Sequence, residues 1–350
     1  MEKLSTGWER LVASSGVLRF VDNVLRGVGQ VMFQDNPLSG LLFLAAIGWG
    51  SYAAGVPQVS IAGLLAVIVA TLTARWLHVD ETALNSGLYG YNAYLVGLAL
   101  ATFLAPGPLL WAYVVLGAAV SVVAMLGIAN AVKAWEMSAF TFPFVLTTWL
   151  LLLATYGFSG LTGAALPAGR VVTAFQPYEA NALGIGDLVQ GVFHSISQVF
   201  LKGNAVSALL LLLGLAVNSI PAAAFALGGA ILAVATAHVL GAESQLITAG
   251  LLGFSPILTA IALGTVFYRP GWRVGVYAAV GTVFTVIAQA ALNVALTPLA
   301  IPALTAPFVL VSWLFLLPKQ CFGPASTATI DTTSIDTIDT TNIDVRKPAA

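Results

Sequence analysis

Thr141-Phe142-Pro143-Phe144-Val145-Leu146 returns as Thr305-Ala306-Pro307-Phe308-Val309-Leu310, and both copies run on to a tryptophan, Trp149 and Trp313. Two further blocks repeat in the same order. Gly87-Leu88-Tyr89-Gly90-Tyr91-Asn92-Ala93-Tyr94-Leu95 is matched by Gly250-Leu251-Leu252-Gly253-Phe254-Ser255-Pro256-Ile257-Leu258. Gln30-Val31, followed by Asn36-Pro37-Leu38-Ser39, is matched by Gln198-Val199, followed by Asn204-Ala205-Val206-Ser207. The offsets are 164, 163 and 168 residues. Apolar sequence matches by chance at Leu and Ala, but rarely aligns Gln, Asn, Ser, Thr-x-Pro-Phe and Trp in one order. The chain therefore carries an internal duplication.

The duplicated material is apolar. Hydrophobic residues make up 59% of the 350 and charged ones 8%, with a mean hydropathy of +0.95. A soluble globule with a charged surface is excluded. A membrane span needs about 20 predominantly apolar residues, and such runs recur from Leu38 to Leu317. Breaks at Gly, Pro and charged residues give spans near 38–54, 58–77, 87–104, 108–131 and 139–158, then 205–219, 222–240, 249–267, 273–296 and 304–318. With five spans in each copy, the second starts on the opposite side of the membrane. Before the first span of each copy lies a short segment, 20–35 and 188–203, too polar to cross. The expected fold is thus an all-α polytopic membrane protein: ten transmembrane helices plus two half-membrane pore helices, arranged as two inverted five-helix repeats with a shared site near the midplane.

Placing the N-terminus in the cytoplasm puts eleven of the thirteen Lys and Arg on the inner side, leaving Arg170 and Lys202 outside. The positive-inside rule favours that orientation, with both termini cytoplasmic. The expected domains are an N-terminal interfacial segment (1–19), a first repeat (20–159), an extracytoplasmic linker (160–187), a second repeat (188–318) and a disordered tail (319–350). Met1 to Gly29 intersperses apolar residues with Arg10, Arg19, Asp22 and Arg26, as an amphipathic helix at the interface does. The lone Cys321 can neither pair within the chain nor complete a metal site. A net charge of −1 offers no basic face for nucleic acid.

Ionisable residues inside a membrane usually mark ion sites or proton relays. Here Asp80, Glu81, Glu243, His78 and His238 fall at span ends and His194 in the second short segment, where water satisfies them. No phosphate loop, metal-spaced pair or nucleophile elbow occurs. Neither enzymatic chemistry nor a cofactor is expected. The polar groups left at depth are uncharged: Gln30, Gln198, Asn92, Ser255, Thr141 and Thr305. Each could simply bond a neighbouring helix or its own backbone, yet recurrence at equivalent positions favours a shared polar path. Pro143 and Pro307 are expected to release the carbonyls of Ala139 and Ala303, one turn from a hydroxyl. Tyr91 with Leu95, and Phe254 with Leu258, share a helix face at a spacing of four. The bland reading of these four is packing; the functional one is a flat slot formed across the axis, with Phe33 and Leu201 forming an outer one.

Gly29-Gln30-Val31-Met32-Phe33-Gln34-Asp35-Asn36-Pro37, Gly87 to Gly97 and the two Thr-x-Pro-Phe copies closely resemble the urea transporter family over residues 20–318. The resemblance implies downhill urea flux through a pore in each subunit of a homotrimer, in a bacterial inner membrane. It assigns Gln30, and Gln198 with it, to an oxygen ladder that accepts urea N–H groups. It places Phe33 and Leu201 at an outer slot, Tyr91, Leu95, Phe254 and Leu258 on hydrophobic walls, and Thr141 and Thr305 at the constriction. Tyr91 stands where Phe is usual in the family, and Asn204-Ala205 where Asn-Pro is usual. The alternative is an ion-coupled secondary transporter of a small neutral amide, which shares inverted repeats and a midplane site.

Overall fold

The computed structural model describes residues 2–171 and 181–318. Its first run of helices is α1 (Glu2–Ser14), α2 (Gly16–Gly29), α3 (Pro37–Ala53), α4 (Pro57–Trp76), α5 (Glu81–Asn85), α6 (Tyr91–Phe103), α7 (Pro108–Val132) and α8 (Phe142–Thr155). The second is α9 (Ile185–Gln198), α10 (Ala205–Asn218), α11 (Ile220–Val239), α12 (Ser244–Thr248), α13 (Phe254–Ile261), α14 (Trp272–Leu296) and α15 (Ala306–Leu316). A π-helical turn, Ala262–Val266, extends α13. Elements α9 to α15 follow the order of α2 to α8. Lengths agree at 14 residues for α2 and α9, 20 for α4 and α11, five for α5 and α12, and 25 for α7 and α14.

Helix starts are written in the sequence. Asn36 caps α3 by accepting from the Leu38 and Ser39 amides, and Asn204 caps α10 by accepting from the Ser207 amide. Pro37 occupies the first turn of α3, where its missing N–H removes no helical bond. Ala205 stands at the equivalent place, and the two caps have nearly the same backbone (φ −150, ψ 123 against φ −147, ψ 125). The Asn-Pro to Asn-Ala difference leaves the start of the helix unchanged.

Each of the ten expected spans is a helix, but not each is a full crossing. Pro57–Trp76, Pro108–Trp135, Ile220–Val239 and Trp272–Leu299 are long and apolar enough to cross a membrane, and the other six are apolar helices of 10–17 residues. At about 1.5 Å per residue those six run to roughly 15–25 Å, short of a hydrocarbon core of about 30 Å. In four of the six the shortening comes from turns hidden in apolar sequence. Gly87 (φ +77) and Gly250 (φ +73) break the chain before α6 and α13, and Phe140 (φ 50) and Leu304 (φ 51) break it before α8 and α15. Multiple apolar helices nonetheless make this a multi-pass membrane protein.

Two other expectations are corrected. Residues up to Gly29 do not form one interfacial helix: Ser15 divides them, its hydroxyl capping α2 at the Leu18 amide. Asp22, Asn23, Val24, Gly27 and Val28 of α2 are buried, because the helix packs into the bundle rather than against lipid. The linker ends earlier than 187, since α9 already begins at Ile185. Its first part pairs through Ala105 N–H to Thr162 O (2.9 Å) and Ala164 N–H to Phe103 O (2.9 Å). Pro177, Glu179, Cys321 and the C-terminal tail lie outside the described residues.

The contacts between the two runs are reciprocal. Ser39 Oγ donates to Gly214 O (2.7 Å) while Ser207 Oγ donates to Ala46 O (2.6 Å). Trp149 Nε1 donates to Pro302 O (2.8 Å) while Trp313 Nε1 donates to Ser138 O (2.8 Å). Each contact maps onto the other when equivalent residues are exchanged, the pattern a two-fold relation produces. Small residues bring the helices close: Ala62, Ala66, Ala70 and Ala74 on α4 are buried, as are Ala222, Ala226, Ala230 and Ala233 on α11. Outward faces carry Leu64 and Leu72 on α4, Leu116 and Val123 on α7, and Val276 and Val280 on α14, all exposed as a lipid solvent requires.

Candidate substrate pathway

The two glutamines are held alike. Gln30 Nε2 donates to Ser86 O (2.9 Å), and Gln198 Nε2 donates to Ala249 O (3.1 Å). Each accepting carbonyl immediately precedes the left-handed glycine of its repeat, Gly87 or Gly250. Those glycines also let the backbone reach the half-length helices: a Cβ at Gly87 would strike the amide nitrogen of Gly27, and one at Gly250 that of Ser195. With one amide hydrogen tied down, each side chain is held in place and keeps Oε1 as an acceptor.

Four bulky residues adopt the left-handed conformation as two equivalent pairs: Phe33 (φ 61) with Leu201 (φ 56), and Phe140 (φ 50) with Leu304 (φ 51). Such a backbone costs about 1–3 kcal/mol per residue and concentrates at functional sites. Phe33 meets Phe140 edge-on (centroids 6.5 Å apart) and Phe308 (6.1 Å), and Phe140 meets Phe308 at 5.2 Å. Tyr91 joins this cluster through its hydroxyl, which donates to Phe140 O at 2.6 Å. The polar atom that distinguishes it from phenylalanine is thereby bonded. Asn92 bonds the same carbonyl (3.3 Å) and accepts from the Phe144 amide (3.0 Å), so its amide is occupied in positioning the start of α8.

A cavity of ≈1010 Å³ holds the second cluster, with Gln198, Leu201, Phe254, Leu304 and Thr305 in its wall. Leu201 and Phe254 line this cavity together, while Phe33 and Tyr91 both reach Phe140, the one through its ring and the other through its hydroxyl. Both repeats contribute to the first cluster, since Phe308 of the second packs on Phe33 and Phe140 of the first. Leu95 and Leu258 are buried, at 1% and 0% exposure.

Thr141 and Thr305 are the sequence-selected residues that meet across the halves. Their hydroxyls lie 2.6 Å apart and both side chains are buried. The role expected of the neighbouring prolines is corrected. Pro143 and Pro307 fall in the first turns of α8 and α15 rather than inside a helix. Ala139 O consequently accepts from Phe142 N–H (3.1 Å) and Ala303 O from Ala306 N–H (3.2 Å), so neither carbonyl is released.

Asp80, at a span end, caps α5 at the Ala83 amide (2.7 Å), and His194, in the second short segment, places Nδ1 2.8 Å from Thr248 O; Glu243 lines the cavity. No group of three His, Cys, Asp or Glu converges among the described residues. Sequence reasoning missed Phe140 and Leu304, whose left-handed backbone leaves no mark in residue type, and the linker residues Ala165, Pro167 and Arg170 that cover the cavity.

Apolar helices around buried amides, hydroxyls and aromatic side chains define a membrane transport protein. Residues 21–320 match the family model described as urea transporter. Urea transporter 1 of sheep (Ovis aries) is 30% identical over 312 residues, covering 86% of this chain and 77% of the relative. The goat (Capra hircus) protein of that name gives the same values, and the rat (Rattus norvegicus) protein is 29% identical over 304 residues. The chain belongs to the urea transporter family, and its activity is urea transport.

Proposed function

We propose that the chain is a passive channel through which urea moves down its gradient along a path between two inverted repeats. The observation that carries this reading is the buried Thr141–Thr305 hydroxyl pair at 2.6 Å. Equivalent residues meet on a two-fold axis, and that is where a path shared by both halves must pass. In this arrangement α2 and α9 are half-membrane pore helices, the other long elements supply ten membrane-embedded helices, and charge placement sets both termini in the cytoplasm. Assembly is as a homotrimer in a bacterial inner membrane.

The mechanism follows from urea's shape. It is planar, uncharged, and has N–H donors on two amide groups. Stripping such a group of water without replacement costs roughly 2–7 kcal/mol depending on the reference state. Gln30 and Gln198, their nitrogens already bonded to backbone, present Oε1 acceptors on either side of the threonine pair. Phe33 with Tyr91, and Leu201 with Phe254, enclose the faces of the molecule, backed by Leu95 and Leu258. Acceptors replace water along the solute's edge. Weak binding at each station lets the solute leave.

Stopped-flow light scattering on proteoliposomes tests the reading. Urea permeability far above protein-free vesicles, with no sodium or proton gradient imposed, is expected. Flux that starts only when such a gradient is supplied would establish ion-coupled transport instead.

A further inference from the structure

The cavity wall includes one amide whose bonding is incomplete. Gln289, on α14, is buried at 2% exposure; its Nε2 donates to Asn293 Oδ1 (3.0 Å) one turn on, while its Oε1 is buried without a partner. Both residues line the cavity that holds Gln198, Phe254, Leu304 and Thr305. An orphaned acceptor of this kind in a native fold requires an explanation.

Comparison with the first repeat sharpens the anomaly. The position equivalent to Gln289 is Met125, 164 residues earlier on α7. Met125 Sδ is reached by Asn92 Nδ2 at 3.6 Å, which has a second hydrogen besides the one it gives Phe140 O, so the weak acceptor there has a donor from the protein. In the second repeat Tyr91 and Asn92 are replaced by Phe254 and Ser255. Phe254 has no donor, and Ser255 Oγ is directed at Leu304 O (3.4 Å). The stronger acceptor therefore sits where the protein supplies no hydrogen. The terminal torsion of glutamine is broad and soft, so the oxygen can turn toward the cavity that Gln289 lines.

We propose that Gln289 is a specificity-determining residue of the cavity, its Oε1 accepting an N–H from urea in transit. This rests on the channel reading above and adds a station that has no counterpart in the first half. The donor is the solute itself: an amide N–H satisfies the oxygen, whereas a solute without N–H groups leaves it unbonded. The two ends of the path consequently hold urea unequally, more tightly on the Gln289 side.

The concentration dependence of urea flux in proteoliposomes tests this, using the whole protein, Gln289→Met and Asn293→Ala. Gln289→Met installs the residue of the first half. It should raise the half-saturating urea concentration about three- to ten-fold, the equivalent of one ordinary hydrogen bond, with the melting temperature unchanged or higher because an unsatisfied group is gone. Asn293→Ala keeps the amide but removes its anchor, and a smaller rise is expected. A half-saturating concentration equal to that of the unaltered protein in both variants overturns the inference, as does a fall in melting temperature with unchanged flux, which marks Gln289 as a packing residue. Absence of urea flux in the unaltered protein overturns the channel reading itself, a result distinct from either.

Discussion

The two half-length helices occupy equivalent places but are braced differently. In the first, Arg26 bridges Asp22 (2.7 Å) and Asp35 (2.7 Å), and Trp8 of α1 donates to Asp22 at 2.6 Å. In the second, the residue equivalent to Arg26 is His194, bonded to a backbone carbonyl, and the residue equivalent to Asp35 is Gly203. A similar contrast holds next door. Gln34 accepts from Asn218 (3.0 Å), whereas the equivalent Lys202 lies against Gly50. By contrast Gln30 and Gln198, the left-handed pairs and the two threonines keep the same geometry in both halves. The bonds that hold each glutamine and the turns around it stay alike in the two halves; the braces at the half-helix ends diverge because each end meets different chain.

The largest expected effect tests the shared part. Gly87→Val and Gly250→Val each force a branched side chain onto the backbone of α2 or α9 at a positive φ. Each should cost more than about 3 kcal/mol, read as loss of the monodisperse peak in detergent size-exclusion. Normal assembly of either variant would mean that its half-helix is not held by this approach.

The divergent part comes next. Arg26→Met leaves Asp22, whose side chain is 6% exposed, without its cation. Because Arg26 itself is 21% exposed and Asp35 37%, a loss of about 2 kcal/mol is expected, below the 3–5 kcal/mol of a fully buried pair. His194→Gln should change the melting temperature far less, since a neutral bond to a carbonyl is worth about 1 kcal/mol. Equal losses would erase the contrast between the two ends.

Thr141→Val and Thr305→Val probe the axis itself. Each removes one hydroxyl and keeps the volume, so a two- to ten-fold fall in urea permeability is expected, about 0.5–1.5 kcal/mol. The two variants should agree closely. A strong effect from one and none from the other would show that the path leaves the axis at that point.

What can be read in the sequence divides along the same line. Helix positions are legible to within a few residues because apolar runs end at Pro, Gly and Asn, and the threonine pair is legible because a repeated motif must meet its copy somewhere. The partners of Phe33 and Leu201 are not, since residues off the axis find neighbours only through three-dimensional packing. The role of Pro143 is misread from sequence because the left-handed turn at Phe140, which sets the start of α8, has no signature in residue type. Gln289 gives no signal at all: one glutamine in a 25-residue apolar helix reads as a helix-bonding residue, and its equivalent is a methionine.

The smallest effect concerns the one visible difference where α3 and α10 begin. Ala205→Pro restores to α10 the residue that α3 carries at Pro37. The first helical position needs no N–H, and the near-identical cap angles of Asn36 and Asn204 leave room for the ring's fixed φ. Proline there restricts the unfolded chain without straining the folded one, so a gain of about 0.4–1 kcal/mol is expected, with urea flux unchanged. Thermal melting in detergent measures it. A destabilised Ala205→Pro protein would mean that the first turns of α3 and α10, alike at the cap, diverge one residue later.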